Sequence, residues 1–373
     1  MSGLYIHIPF CESKCSYCDF YSVIIGDEVA IYSYLNALKI ELTTLPSEFH
    51  PDTVYIGGGT PTSLSTVAIE ELVAVIGTTL DAATAREWTV EINPGTLTCR
   101  KADVLKAGGV NRISMGVQSF DENSLTLLGR RHSVADVRSS YQILRDAGIE
   151  NLSLDIMYGL PGGGIESVDR DIDSSLELMP KHISAYCLSY EEGTPLFRRR
   201  QSGALKVLDD ELVRDQYDLI RQRLCTAGYR HYEISNFAKP GFECRHNMLY
   251  WSGGEYIGCG PAAHSHWGGV RFSNIPDVRK YSELLLAGIS SHEMEERLSF
   301  EKKSRETLIM SLRCVNGIDM TKFKNAVGVD PLELCGEEIH DLVAAGLLLI
   351  ENNRLRLSDD ALFISDSVFR ELV

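Results

Sequence analysis

The sequence has no apolar run near the roughly 20 residues that a membrane-crossing helix needs, and no basic-then-apolar leader precedes its first strand-like stretch, LYIHI at 4–8. Those absences lead to the expectation of a cytoplasmic protein with no direct membrane span. Positive charge is scarce: 36 Lys and Arg stand against 52 Asp and Glu, a net charge of −16. That balance disfavours a non-specific grip on nucleic acid or anionic lipid and leaves only local patches such as Arg198-Arg199-Arg200. Neither G-x-G-x-x-G nor GKS/GKT occurs, which argues against the usual nucleotide-phosphate loops. No solenoid repeat or low-complexity tract is apparent.

What is present reads as an ordinary globular chain, 44% hydrophobic and 24% charged. Its 373 residues exceed what one ordinary core serves, so a barrel-sized domain and a smaller one are expected. Strand-like runs recur at 4–8, 53–56, 88–92, 112–117, 151–158 and 182–188. Between them, apolar residues return at three- and four-residue intervals over Tyr34–Leu45, Thr66–Leu80, Lys101–Ala107, Val134–Asp146, Asp169–Leu178 and Glu211–Ala227, the helical period. This alternation indicates parallel βαβ units and an α/β fold, a partial (β/α) barrel of the TIM type, with a doubly wound sheet left open by the count alone.

Chemically distinctive residues fall at the C-terminal ends of these strands: three cysteines after the first, GGGTPT (57–62) after the second, Glu91 in the third, Gln118 ending the fourth, and Asp155 in the fifth. Ligands gather at that edge in parallel α/β folds, so the segments are expected to share one cavity. The expected division is a barrel over 1–235, a Gly-, aromatic- and His-rich linking segment without helical period over 236–290, and a smaller helical, winged-helix-like domain over 291–373. In the last, LLLIENNRLRLS suggests a hairpin turning at Asn352-Asn353. A DNA-binding role for it is disfavoured by the lack of a basic stripe.

Cys11, Cys15 and Cys18 form C-x3-C-x2-C, and a closed structural zinc site takes four ligands. His7 could complete such a set. Alternatively, three thiolates on a [4Fe–4S] cubane leave one iron open to another molecule. The other seven cysteines are expected to be mostly small core residues.

With Tyr17 just before the last cysteine, this stretch resembles the cluster loop of the radical S-adenosylmethionine (SAM) superfamily. The resemblance implies a [4Fe–4S] cluster on Cys11, Cys15 and Cys18, with SAM on the open iron. YIHIPFC, GGGTPT, VEINPGTL, RISMGVQSFD, LDIMYGLPG and ALFISDSVFREL are further similar to the oxygen-independent coproporphyrinogen III oxidases and their relatives, over nearly the whole chain. That similarity implies that Tyr5, Gly58, Gly59, Thr60 and Glu91 bind SAM, and that Gln118, Arg130 and Asp155 match residues holding a second SAM in the oxidase. Two features depart from the oxidase pattern. Its extra Cys, two residues after the cluster's third, is here Phe20, and the cluster loop begins at residue 11, without the oxidase's longer N-terminal segment. Instead, His246–Trp251 match the H-N-x-x-Y-W motif of the family's heme-chaperone branch.

The implied function is heme chaperoning on a radical SAM scaffold, with His246 helping to bind heme and Tyr250 and Trp251 offering flat apolar faces. Implied partners are heme-accepting, respiratory proteins and an electron donor such as flavodoxin or ferredoxin. The alternative is oxidative decarboxylation of coproporphyrinogen III. His264 and His266 stay without an assigned role.

Overall fold

The computed structural model describes residues 1–79 and 85–373. In chain order, the barrel is built from β1 (Ser2–Ile8), α1 (Glu28–Thr43), β2 (Thr53–Gly58), α2 (Thr66–Thr79), β3 (Glu87–Ile92), α3 (Cys99–Ala107) and β4 (Arg112–Gln118). It continues with α4 (Glu122–Leu128), α5 (Val134–Asp146), β5 (Asn151–Tyr158), α6 (Ile165–Glu177), β6 (His182–Cys187), α7 (Pro195–Gln201) and α8 (Asp210–Thr226). Next come β7 (Arg230–Glu233), β8 (Asn236–Ala238), α9 (Arg245–Trp251), β9 (Glu255–Cys259), β10 (His264–Trp267), β11 (Val270–Asn274), α10 (Val278–Leu286) and β12 (His292–Arg297).

These strands form one 12-stranded sheet in the order β12-β11-β10-β9-β1-β2-β3-β4-β5-β6-β8-β7. From β9 through β6 every neighbouring pair is parallel, and the strands beyond either end turn antiparallel. The sheet is therefore a partial barrel. Period-two alternation sorts its faces. In β1, Leu4, Ile6 and Ile8 are 0% exposed in the core shared with Leu35 and Leu38 of α1, while Tyr5 and His7 point to the other, polar face.

The helices start where side chains replace missing intrahelical partners. Asp27 Oδ1 accepts from the Ala30 N–H at 2.9 Å, which starts α1 six residues before the expected Tyr34. At α5, Ser133 and Asp136 satisfy each other's backbone in a capping box, and the helix spans the expected Val134–Asp146. The helix expected over Thr66–Leu80 runs to Thr79, and Leu80 lies outside the described residues.

The segment expected to link two domains instead extends the sheet. β9 pairs in parallel with β1, β10 to β12 follow as antiparallel neighbours, and the HNMLYW stretch is helix α9. Aperiodic, Gly-rich sequence concealed short strands, of which β9 pairs with the distant β1 while β10 and β11 form a local hairpin. The strand β12 also belongs to this sheet, although it falls in the region expected to form the smaller domain.

That smaller unit contains α11 (Phe300–Leu312), β13 (Ile318–Asp319), α12 (Met320–Val327), α13 (Pro331–Ala344), β14 (Leu348–Glu351), β15 (Arg354–Leu357) and α14 (Ser365–Glu371). Its three strands pair in the order β13-β15-β14, and Asn352 and Asn353 turn the hairpin with φ of 51° and 63°. Leu308, Leu312 and Leu355 share a core with Ile183, Tyr217 and Phe237 of the barrel. The two units are thus joined by apolar packing.

Candidate functional site: two cavities divided by the cysteine loop

At the C-terminal edge of the parallel strands lies a cavity of about 440 Å³. It is lined by Cys11, Cys15, Cys18 and Tyr17 from the loop after β1, Gly58, Gly59 and Thr60 after β2, Glu91, Gln118, Arg130 and Asp155. The residues expected at one site are therefore together, except Tyr5 and His246.

The cysteine loop and the glycine loop are fastened to each other. The Gly59 N–H donates to the Ile8 carbonyl and the Thr60 N–H to the Phe10 carbonyl, each at 2.7 Å. A Cβ on Gly59 would sit 2.6 Å from the Phe10 oxygen, and Gly58 adopts φ +101°, so both positions demand glycine. Cys11 Sγ lies 3.7 Å from Thr60 Oγ1, and Arg130 Nη1 donates to Cys15 Sγ at 3.5 Å. Burial pushes the Cys18 thiol up to about 11.

The remaining polar groups are tied down by the sheet. Tyr55 OH donates to Glu91 Oε1 at 2.7 Å and the Gly58 N–H to Oε2 at 3.1 Å. Burial nevertheless raises Glu91 to about 7, with Asp155 adding to the rise. Both Asp155 oxygens accept from Ser114 Oγ at 3.0 Å, and burial raises its carboxyl as well. Arg130 Nη2 donates to Asn93 Oδ1 at 2.7 Å and to the Gly116 carbonyl at 2.6 Å. Gln118 holds φ +67° where the β4–β5 register shifts, a left-handed conformation that is costly for a residue with a side chain. Sequence reasoning missed Tyr55, Ser114, Arg112 and Cys187, which also line the cavity. Arg112 is 2% exposed, and its Nε has no hydrogen-bond partner among the described residues. Only strand register, which sets inward-facing positions, signals them.

The thiols fit a cluster better than a single ion. His7 engages both ring nitrogens elsewhere, Nδ1 with Tyr5 OH at 3.1 Å and Nε2 with the Tyr21 carbonyl at 2.8 Å, so it is not offered as a fourth ligand. A single zinc gathers four ligands within about 2.3 Å of one point. Among the described residues no three His, Cys, Asp or Glu gather so closely, whereas a cubane spreads its thiolates over separate corners. Of the other cysteines, Cys244, Cys259 and Cys335 are buried as expected, while Cys99, Cys187 and Cys225 are exposed.

His246 lies against neither cavity. It is 1% exposed, with Nδ1 2.8 Å from Thr53 Oγ1, Nε2 2.8 Å from Tyr250 OH, and its ring stacked 5.1 Å from that of Tyr55. The start of α9 is held by buried Glu87, whose carboxylate accepts the Arg245 and His246 N–H groups at 3.0 Å each. Gly3 lets the helix approach β1, since a Cβ there would lie 2.6 Å from Leu249 Cδ2.

A second cavity, of about 660 Å³, opens on the other side of the cysteine loop. Asp19 and Phe20, directly after Cys18, line both cavities. The second one also takes in Tyr5, Tyr250, Trp251, His264, His266 and the facing side of α11.

A parallel partial barrel with three loop cysteines beside a glycine loop at its C-terminal edge defines a protein of the radical SAM class. Residues 5–174 match the radical SAM superfamily and residues 298–364 the HemN C-terminal domain. The chain is 37% identical to the heme chaperone HemW of Lactococcus lactis subsp. lactis, covering 100% of this chain and 97% of that one, and 35% identical to that of Bacillus subtilis, covering 99% and 98%. It belongs to the HemW family. Among solved structures, coproporphyrinogen III oxidase (HemN) from Escherichia coli superposes with a TM-score of 0.86 at 22% identity, over 100% of this chain and 89% of that one, a likeness of fold. Among the described residues no helix is long and apolar enough to cross a membrane.

Proposed function

We propose that this protein is a heme chaperone that holds a [4Fe–4S] cluster and SAM in the first cavity and passes heme to acceptor proteins. The observation that carries the reading is likeness over the full chain to proteins named heme chaperones. Cys11, Cys15 and Cys18 would hold the cluster, which when bound supplies one-electron chemistry and an open iron for SAM. The Arg130 guanidinium beside Cys15 would offset thiolate charge. Backbone groups of Gly58–Thr60 would take the SAM amino end, and Glu91, oriented by Tyr55, its ribose hydroxyls. Gln118, Arg130 and Asp155 present further polar groups along the same wall. Tyr17 closes the cavity as a largely apolar face, and Tyr5 supports the site through His7.

The oxidase reading is less well supported, since the relatives matched over the full chain carry the chaperone name and the oxidase likeness is one of fold. The acceptors proposed are respiratory heme proteins, with flavodoxin or ferredoxin as electron donor, in the cytoplasm. The test is anaerobic: cluster-reconstituted protein is titrated with hemin and then mixed with the apo form of a heme protein. Saturable uptake above a nonspecific control, followed by transfer to the acceptor, is expected. Absence of saturable uptake, or protoporphyrinogen formed from coproporphyrinogen with SAM and reductant, overturns the proposal.

A further inference from the structure

We infer that heme seats in the second cavity, between the β9–β11 face and α11, with His266 as the iron ligand and Lys303 receiving a propionate. The inference rests on the heme-chaperone reading and assigns its cargo to residues outside the HNMLYW histidine.

The sheet supplies one wall by register. Tyr256 faces His266, and His266 faces Arg271, across three antiparallel strands. Directly opposed residues share a side of the sheet, so these three form a row on one face. The opposite wall is α11, whose Lys303, Glu306, Thr307 and Met310 recur at helical spacing and line the same space. Tyr250 and Trp251, at the end of α9, close one side. Phe20, 64% exposed, stands at the border with the cysteine loop. A volume of about 660 Å³ lies in the usual range for cofactor sites, and its aromatic and thioether walls suit a flat apolar ring.

The polar groups suit the rest of a metalloporphyrin. Heme needs a neutral imidazole for its iron and cations for its carboxylates. The His266 ring lines this cavity from β10. The Gly254 carbonyl lies beside it, the kind of acceptor that orients a ligating histidine through its other N–H. Arg271 is paired with Glu306, whereas Lys303 has no carboxylate within salt-bridge distance among the described residues. Lys303 is therefore the cation available to an incoming propionate. His264 is two residues along the same strand and the same face. Successive same-face positions lie about 7 Å apart, so the two imidazoles cannot approach one iron from opposite sides. The expected complex is five-coordinate on the protein's side.

The test compares hemin titrations of cluster-reconstituted wild type with His266→Gly, Lys303→Glu and His264→Ala, followed in the Soret band and by electron paramagnetic resonance. The wild type should bind saturably and show a high-spin ferric signal. Loss of an iron ligand should weaken binding at least about tenfold, since loss of a group that merely orients one costs about that much. Added imidazole should restore the wild-type spectrum to His266→Gly, which a merely structural histidine would not allow. Lys303→Glu, on a half-exposed helix position, should also weaken binding, and His264→Ala should leave the spectrum unchanged. If the wild type binds hemin and the His266 and Lys303 variants bind it equally well with the same spectrum, this seat is wrong while the chaperone reading stands. If the wild type itself fails to bind, the chaperone reading falls and takes the seat with it.

Discussion

Replacing His246 by alanine should damage the barrel and leave the intrinsic affinity for heme intact. The ring is buried, joins Thr53 and Tyr250 through both nitrogens, and stacks on Tyr55. Its removal strands the buried Thr53 hydroxyl, at about 1–3 kcal/mol, and opens a void worth about 2 kcal/mol more. The total is about 3–5 kcal/mol. At about 2.1 cal/mol/K per residue, 373 residues unfolding together carry an entropy near 0.8 kcal/mol/K, so Tm should fall by about 4–6 °C. The deficit should also depend on pH. Burial, with Arg112 next, lowers His246 to about 3, against about 6.5 in the unfolded chain. Between those values the unfolded state binds more protons, so wild-type stability falls with acidification and the variant escapes this loss. From pH 7 to pH 5 the deficit should shrink by about 2 kcal/mol, and the assay is thermal melting of both proteins at the two pH values. An unchanged Tm together with a tenfold loss of hemin affinity would refute the reasoning, because it would require the ring nitrogens to face the cargo.

Two other perturbations probe the first cavity. Glu91, raised to about 7 from an unfolded value near 4.5, binds its proton more tightly in the folded state, so it favours folding below pH 4.5 and loses that contribution as pH rises to 7. Glu91→Gln should flatten the pH profile of unfolding free energy between pH 4.5 and 8 by about 3 kcal/mol and weaken SAM binding; an unaltered profile would remove the burial argument. Gly59→Ala places a methyl 2.6 and 2.7 Å from the fixed Phe10 and Ile8 carbonyl oxygens, so the two loops must part. Equilibrium dialysis should show SAM affinity reduced about tenfold or more, with iron content after reconstitution reporting whether the cysteine loop moved too; full SAM affinity would show that the loop tolerates displacement.

The parallel core and first cavity were legible because their signals are local. Alternating runs gave strands close to the observed bounds, and C-x3-C-x2-C, GGGTPT and Glu91 sit where strand ends must put them. Strand parity also gives Tyr55 and Ser114 as inward neighbours, but parity alone does not reveal hydrogen bonds to Glu91 and Asp155. Residues 236–297 were harder. Their strands are four to six residues long beyond the three-residue β8, rich in Gly and His, and stabilised by pairing with β1 and one another. The local mark of sheet within the stretch is Gly268-Gly269, which turns β10 into β11 with φ of 60° and 74°. The second cavity, formed between that sheet and a helix some forty residues later, inherited the same obscurity.

The HNMLYW motif marks one short helix whose side chains divide among three surroundings. In a helix, positions four apart share a face, so His246 and Tyr250 meet, and the histidine spends its nitrogens on Tyr250 and Thr53. The same geometry turns Asn247 toward the first cavity and Tyr250 and Trp251 toward the second. One helix of seven residues thus touches both, pinned at its start by Glu87 and at its end by Ser311 of α11, whose hydroxyl donates to the Trp251 carbonyl at 3.0 Å. The histidine thus ties the helix to β2 through Thr53, and its substitution is expected to lower heme occupancy through loss of folded protein rather than through a lost iron contact. Affinity measured per folded molecule separates those two causes.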